Sequence, residues 1–207
     1  MAQITHGIRS ILSHPEAYNL SQNLLGAGRL RKRLVRDHIR AGSGDQLLDI
    51  GCGTAELLPH LPHGVRYVGF DLSQRYIDAA RARFGNLGRF ECMDIANFQD
   101  GAIESGADIA LAIGILHHLD DAEARALIQT AWNKLKPGGR FITLDGALVP
   151  DQSKVARGLI LRDRGQNVRS PEEYARLATG IFSTVHATVR NDLLLVPYTH
   201  CILECTR

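Results

Sequence analysis

The sequence predicts an α/β doubly wound fold, and three observations carry the prediction. Short β-prone runs at 47–50, 65–71, 89–93, 107–113 and 140–145 alternate with stretches of helical character. One of them, Ala107–Ile113, is almost wholly apolar, as a central parallel strand covered on both faces must be. Acids recur where the runs end: Asp49 stands just before a glycine-flanked turn, and Asp71, Asp94 and Asp145 close or follow later runs. In such folds ligands sit outside the carboxyl ends of the strands, where all four acids fall.

The residues 47–58, LLDIGCGTAELL, read as a strand, a tight turn and the start of a helix. Gly51 and Gly53 permit positive φ and close approach of a ligand, and a helix opening near Ala55 would aim unpaired N–H groups at the same place. A dinucleotide fingerprint requires a third glycine at position 56, where this chain has Glu56, and Asp49 precedes the turn. Both carboxylates would repel a pyrophosphate, whereas Asp49 would attract a cofactor with a cationic amino group and a sulfonium. The residues lean towards S-adenosylmethionine (SAM) and away from a nicotinamide dinucleotide.

Composition bounds the rest. The 207 residues, 44% hydrophobic and 22% charged, suit one domain with a substantial core. A formal charge of +2 does not demand a polyanionic partner. Cys52, Cys92, Cys201 and Cys205 lack CxxC spacing and read as buried free thiols, so no metal is expected. The first residues lack a signal-peptide core, and the longest apolar run, 109–116, is too short to cross a bilayer, which predicts a soluble, cytoplasmic protein.

In chain order, Ser13 with Glu16 caps a helix ended by Gly26, with Tyr18, Gln22 and Leu25 on one face. A second helix, 29–40, turns Leu30, Leu34, Val35 and Ile39 inward and a basic face outward. That face reads first as solvated and second as a surface for an anionic acceptor. The helix after the glycine turn is limited by Pro59 and Pro62; Asp71 then lies twenty residues after Gly51, the spacing that brings a carboxylate to a ribose in a βαβ unit. Ser73 caps a helix over 74–84. Asp94 can accept from an adenine amino group or cap a turn. After 107–113 come a turn with His117 and His118, a helix capped by Asp120 and Glu123, and the turn 136–139 into the next strand. More than thirty residues then precede the following strand, beyond what a simple crossover needs. They hold a helix over 154–161, a polar loop over 163–169 and a helix opened by Ser170, Pro171 and Glu173. Residues 184–191 and 198–204 read as an antiparallel hairpin at the sheet edge.

Taken together, LDIGCGTAELL, VGFDLS, ECMDI, AIGILHHL and LKPGGRFI resemble the class I SAM-dependent methyltransferases of the small-molecule type. The resemblance implies a Rossmann-like, seven-stranded sheet with an antiparallel last strand and N-terminal cap helices. The chain then divides into cap helices (1–41), a cofactor-binding core (45–145), an insertion over the acceptor (146–182) and a terminal hairpin (183–207). By position it implies Asp49, Gly51 and Gly53 around the methionine part of SAM, Asp71 and Leu72 at the ribose, Asp94 and Ile95 at the adenine, Ile113 near the sulfonium, and Tyr18 and Gln22 as cap contacts. The function implied is methyl transfer to a hydroxyl or amine of a small molecule. Two consecutive histidines cannot both face the same way, so one is expected in the pocket: His118 as base or orienting donor, with His117 close behind. Asp145, Arg164, Arg169, Tyr198 and His200 are the expected acceptor contacts. GILHH stands where many nucleic-acid amino-methyltransferases carry NPPY or DPPY, which disfavours a nucleic-acid acceptor. A nicotinamide-dependent oxidoreductase and a non-catalytic SAM-binding protein compete with methyl transfer as functions, and the oligomeric state is open.

Overall fold

A computed structural model describes residues 26–97, 106–162 and 166–207. The expected helix ending at Gly26, with Tyr18 and Gln22, lies outside the described residues, as does Arg164. Helix α1 spans Ala27–Leu34 and continues as a π-helical turn, Val35–Ile39. There follow β1 (Gln46–Ile50), β2 (Arg66–Asp71), α2 (Gln74–Phe84), β3 (Gly88–Cys92) and β4 (Ala107–Ile113). The second half holds α3 (Asp121–Lys134), β5 (Leu135–Gly146), α4 (Lys154–Leu161), α5 (Pro171–Ala178), β6 (Thr184–Arg190) and β7 (His200–Thr206).

The strands form one seven-stranded sheet in the order β3-β2-β1-β4-β5-β7-β6. Strands β1 to β5 pair in parallel, while β7 runs antiparallel to both β5 and β6. Alternate side chains enter two apolar layers. Leu48, Ile50, Phe70, Ala110 and Phe141 pack with Ile128 of α3 and with Tyr174 and Leu177 of α5. Leu47, Tyr67, Ile109, Leu111 and Ile142 pack on the other face with Leu34 of α1 and with Ile77 and Ala80 of α2. Helices therefore cover both faces, as a parallel core requires.

The helix starts follow their capping residues. Ser73 accepts from the Tyr76 N–H, and Asp120 with Glu123 and Ser170 with Glu173 close complete capping boxes. Leu30, Leu34, Val35 and Ile39 are all buried. The basic face is met by acids: Arg33 pairs with Asp192, Arg36 with Asp37 and Arg40 with Glu204.

One expected element is absent: no α-helix follows Gly53, and only the single 3-10 turn Leu58–His60 forms. Gly51, Gly53 and Ala55 take φ of 72°, 55° and 57°, so the chain passes repeatedly through the left-handed region and cannot start a right-handed helix. Pro59 and Pro62 then remove the donors a second turn would need. Strand β5 starts at Leu135, earlier than the turn at 136–139 suggested, and β7 starts at His200, leaving Tyr198 just before it. The four cysteines are free thiols, with Cys201 and Cys205 buried and Cys52 and Cys92 half-buried. Among the described residues, no helix is long and apolar enough to cross a membrane.

Candidate active site

Strand register sets the carboxyl edge. Ile50 lies beside Phe70 and Asp71 beside Cys92, so Gly51 and Asp71 share a level at the tips of β1 and β2. Asp49 is buried one step below, and its Oδ2 accepts the Tyr67 hydroxyl proton at 2.6 Å. Burial pushes the Asp49 carboxyl up to about 6, opposed by the Tyr67 hydrogen bond. Tyr67 was missed by reading the sequence, yet a signal exists. Gly69 stands opposite Asp49, and a Cβ there would meet Tyr67 Cε1 at 3.0 Å, so the bare glycine makes room for the ring.

Asp71 organises the loop as well as the edge. Its Oδ2 accepts the Gly53 N–H at 3.0 Å and its Oδ1 the Ser73 N–H at 2.8 Å, while burial raises its pKa. The N–H groups of Gly51 and Cys52 both point back to the Phe70 carbonyl, at 2.7 and 2.9 Å. The donors of Gly51, Cys52 and Gly53 are thus already engaged by protein acceptors. Two carboxylates and a loop with those donors occupied disfavour a phosphate and favour a cation. Glu56 is ion-paired to Arg83, so its charge is largely offset beside this loop, and it still stands where a dinucleotide fingerprint needs a glycine.

At the neighbouring tips, Leu72 is 56% exposed and Ile95 is buried. Asp94 is exposed and accepts the Ala96 N–H at 2.9 Å through Oδ1, capping the short turn Ile95–Asn97. Ile113 is half-buried at the end of β4, where the Gly114 N–H donates to the Leu144 carbonyl at 2.7 Å.

Beyond β4 the chain makes a 3-10 turn, Leu116–His118. Asp145 Oδ1 lies 2.7 Å from His117 Nδ1 and also accepts the His117 backbone N–H at 3.2 Å. Asp145 is 1% exposed, and its Oδ2 has no hydrogen-bond partner among the described residues. The expectation that consecutive histidines face apart is corrected: the two rings lie 4.1 Å apart, tilted by 41°. Successive side chains alternate on a strand, but on a three-residue turn they diverge by only about 120°, so neighbouring rings can touch.

The expected acceptor residues divide about the end of β5. Asp145 lies on the α3 and α5 side, near Tyr174, whose hydroxyl donates to the Gly146 carbonyl at 3.0 Å. Tyr198 and His200 pack ring on ring at 4.7 Å beside Gly146, where a Cβ would come within 2.7 Å of the Tyr198 hydroxyl. Arg169 is buried, and its guanidinium is bonded to Asp121 and to the carbonyls of Leu116, Leu119 and Asn167. Among the described residues, no group of three or more His, Cys, Asp or Glu could hold a metal ion.

Residues 48–141 match a family model described as a methyltransferase domain. The chain is 30% identical over 133 residues to the O-methyltransferase resE of Aspergillus sclerotiorum, covering 60% of this chain and 50% of that protein. Among solved structures, the pyocyanin biosynthetic protein PhzM aligns with a TM-score of 0.70 and 18% identity, over 87% of this chain and 55% of that one. A TehB-like SAM-dependent methyltransferase from Corynebacterium glutamicum aligns with a TM-score of 0.63 and 19% identity, over 94% of this chain and 99% of that one. Likeness at such identities shows the fold. This chain spans 30% to 50% of the length of five curated relatives it matches.

Proposed function

We propose that this chain is a class I SAM-dependent methyltransferase, a reading supported by the methyltransferase-domain match over residues 48–141 and by the shared fold, and that it transfers the methyl group of SAM to a hydroxyl or amine of a small molecule. The observation that carries the reading is the pair Asp49 and Asp71 flanking a glycine loop whose N–H groups are already engaged. A cofactor with a cationic amino group, a sulfonium and a ribose diol fits that donor-poor, acid-rich cradle, and no atom of the described residues beyond the chain neighbours lies within 4 Å of the place a Gly53 side chain would take. Asp71, held by two backbone donors, keeps carboxylate lone pairs for the ribose hydroxyls, and Asp49 supplies negative charge to the amino-acid end. Leu72, Asp94, Ile95 and Ile113 complete the cofactor edge in this reading, with Tyr18 and Gln22 closing over it.

When bound, SAM supplies a methyl already activated for displacement. What remains for the protein is to hold the acceptor in line and exclude water, an arrangement able to supply roughly 7–11 kcal/mol. For an acceptor that must lose a proton, His117 is the better base. Donation of Nδ1–H to Asp145 fixes the ring and puts the basic lone pair on Nε2. His118, packed against the His117 ring at a tilt, completes the same wall. Asp145, Tyr198 and His200 frame the acceptor at the end of β5. The O-methyltransferase relatives support a small-molecule acceptor.

Calorimetry with SAM and S-adenosylhomocysteine, followed by transfer of a labelled methyl group into a panel of hydroxylated and amino metabolites, tests the proposal. Micromolar cofactor binding with label in a small molecule supports it. Absence of SAM binding by the folded protein overturns it.

A further inference from the structure

The turn that carries the two histidines is held from outside as well as from β5. Arg169 Nη1 donates to the Leu116 carbonyl at 2.9 Å, and Nη2 donates to the Leu119 carbonyl at 2.8 Å. One guanidinium thus bridges the first residue of the 3-10 turn and the residue just after it. Two residues earlier the Asn167 N–H donates to the His117 carbonyl at 3.0 Å. The strap carrying these donors is itself tied to the end of β5. The Leu148 N–H donates to the Arg169 carbonyl at 3.2 Å, and Ala147 and Arg169 form a parallel bridge. On the far side Nε and Nη2 of Arg169 reach Asp121 Oδ1 at 3.0 and 2.7 Å, at the first turn of α3.

His117 is therefore gripped between two anchors, its ring by Asp145 and the carbonyls of its turn by the strap. We infer that Arg169 is a positioning residue: through its fork to the Leu116 and Leu119 carbonyls it sets where the His117 ring meets Asp145. The function it serves rests on the methyl-transfer reading above, although the geometry does not. A guanidinium is the group for the task, since two planar N–H donors reach two separate carbonyls at once, whereas a lysine ammonium offers a single point of charge. The side chain sits in the insertion, so the insertion contributes to the placement of the proposed base.

The test uses the full chain labelled with ¹⁵N-histidine, with the Nδ1–H resonance of His117 assigned by its loss in His117→Ala. In the wild type this proton, buried against Asp145, is expected to exchange slowly with water. Arg169→Met and Arg169→Lys are expected to accelerate its exchange at least about tenfold, while Asp121→Asn, which leaves the carbonyl fork intact, does not. Unchanged exchange in a folded Arg169→Lys protein overturns the assignment. So does a chain that Arg169→Lys leaves unfolded, which would make the arginine a folding residue. Calorimetry with SAM on the same samples keeps the two readings apart. Loss of the protected proton on mutation in a protein that never binds SAM retains the positioning role and removes only the methyl-transfer reading.

Discussion

Tyr67 donates its hydroxyl proton to the Asp49 carboxylate at 2.6 Å, and both side chains are buried between β1, β2 and the α1–α2 layer. A buried acid with one neutral donor is poorly compensated, which is why its pKa climbs to about 6. Because the folded value exceeds the ordinary 3.8, the proton favours the folded protein: this contribution to stability is fully present below about pH 4 and is lost as pH rises through 6. A cationic cofactor reverses the preference by binding the ionised carboxylate. Its affinity should level off above pH 7 and fall by up to roughly tenfold per unit below 6, with about half a proton released on binding near pH 6 and approaching one proton below pH 5. Calorimetry in buffers of different ionisation enthalpy measures that proton.

Tyr67→Phe removes the donor and leaves the carboxylate more costly to ionise. A hydrogen bond to a charged group is worth about 1.5–3 kcal/mol, so the midpoint should rise by about one to two units and SAM affinity at pH 7 should fall by about two- to tenfold. Equal affinity of the two proteins at pH 7 would show that Asp49 stays ionised without Tyr67.

Asp71→Asn should weaken SAM by about a hundredfold, since a charged acceptor for the ribose becomes a neutral amide. Because Asp71 also holds the Gly53 and Ser73 N–H groups, Asp71→Ala should further loosen the loop. The readout is cofactor affinity beside the melting temperature, which Asn should lower because one oxygen that accepts a backbone N–H becomes an NH2, and which Ala should lower further.

The two loop glycines should respond differently to alanine. A Cβ on Gly51 would overlap the Ile115 side chain at a φ of 72°, so Gly51→Ala should destabilise the protein and disturb the histidine turn. Gly53 has open space among the described residues and a φ of 55°, so Gly53→Ala should cost about 1 kcal/mol of backbone strain but obstruct the cofactor. Thermal melts and SAM calorimetry on both variants separate the two effects.

His117→Ala should lower kcat by roughly 10²–10⁴ for a hydroxyl acceptor at saturating SAM, and His118→Ala by less. Asp145→Asn should fall between them, because the amide can still meet the ring but no longer favours the imidazolium formed on proton uptake. Near-wild-type kcat in all three across pH 6 to 9 would leave positioning as the whole of catalysis.

Much of this architecture was legible in the residues. The apolar run Ala107–Ile113 could only be a central strand, and Ser73, Asp120 with Glu123, and Ser170 with Glu173 marked helix starts that formed where their hydrogen bonds required. Asp49, Asp71 and Asp145 could be assigned to one edge of the sheet because strand direction and alternation are local properties. The partners of those acids were not legible. Tyr67 reaches Asp49 because the β1–β2 register puts Gly69 between them, and Arg169 meets Leu116 because the insertion folds back on a turn fifty-three positions earlier. Local propensity also misjudged the segment after Gly53, where left-handed residues and two prolines defeat an apparently helical pattern. The sequence by itself determined which groups carry charge and which segments form strands. Tertiary structure alone decided which donors remain for a ligand and which histidine is held by an acid, because both depend on contacts between chain segments far apart in sequence.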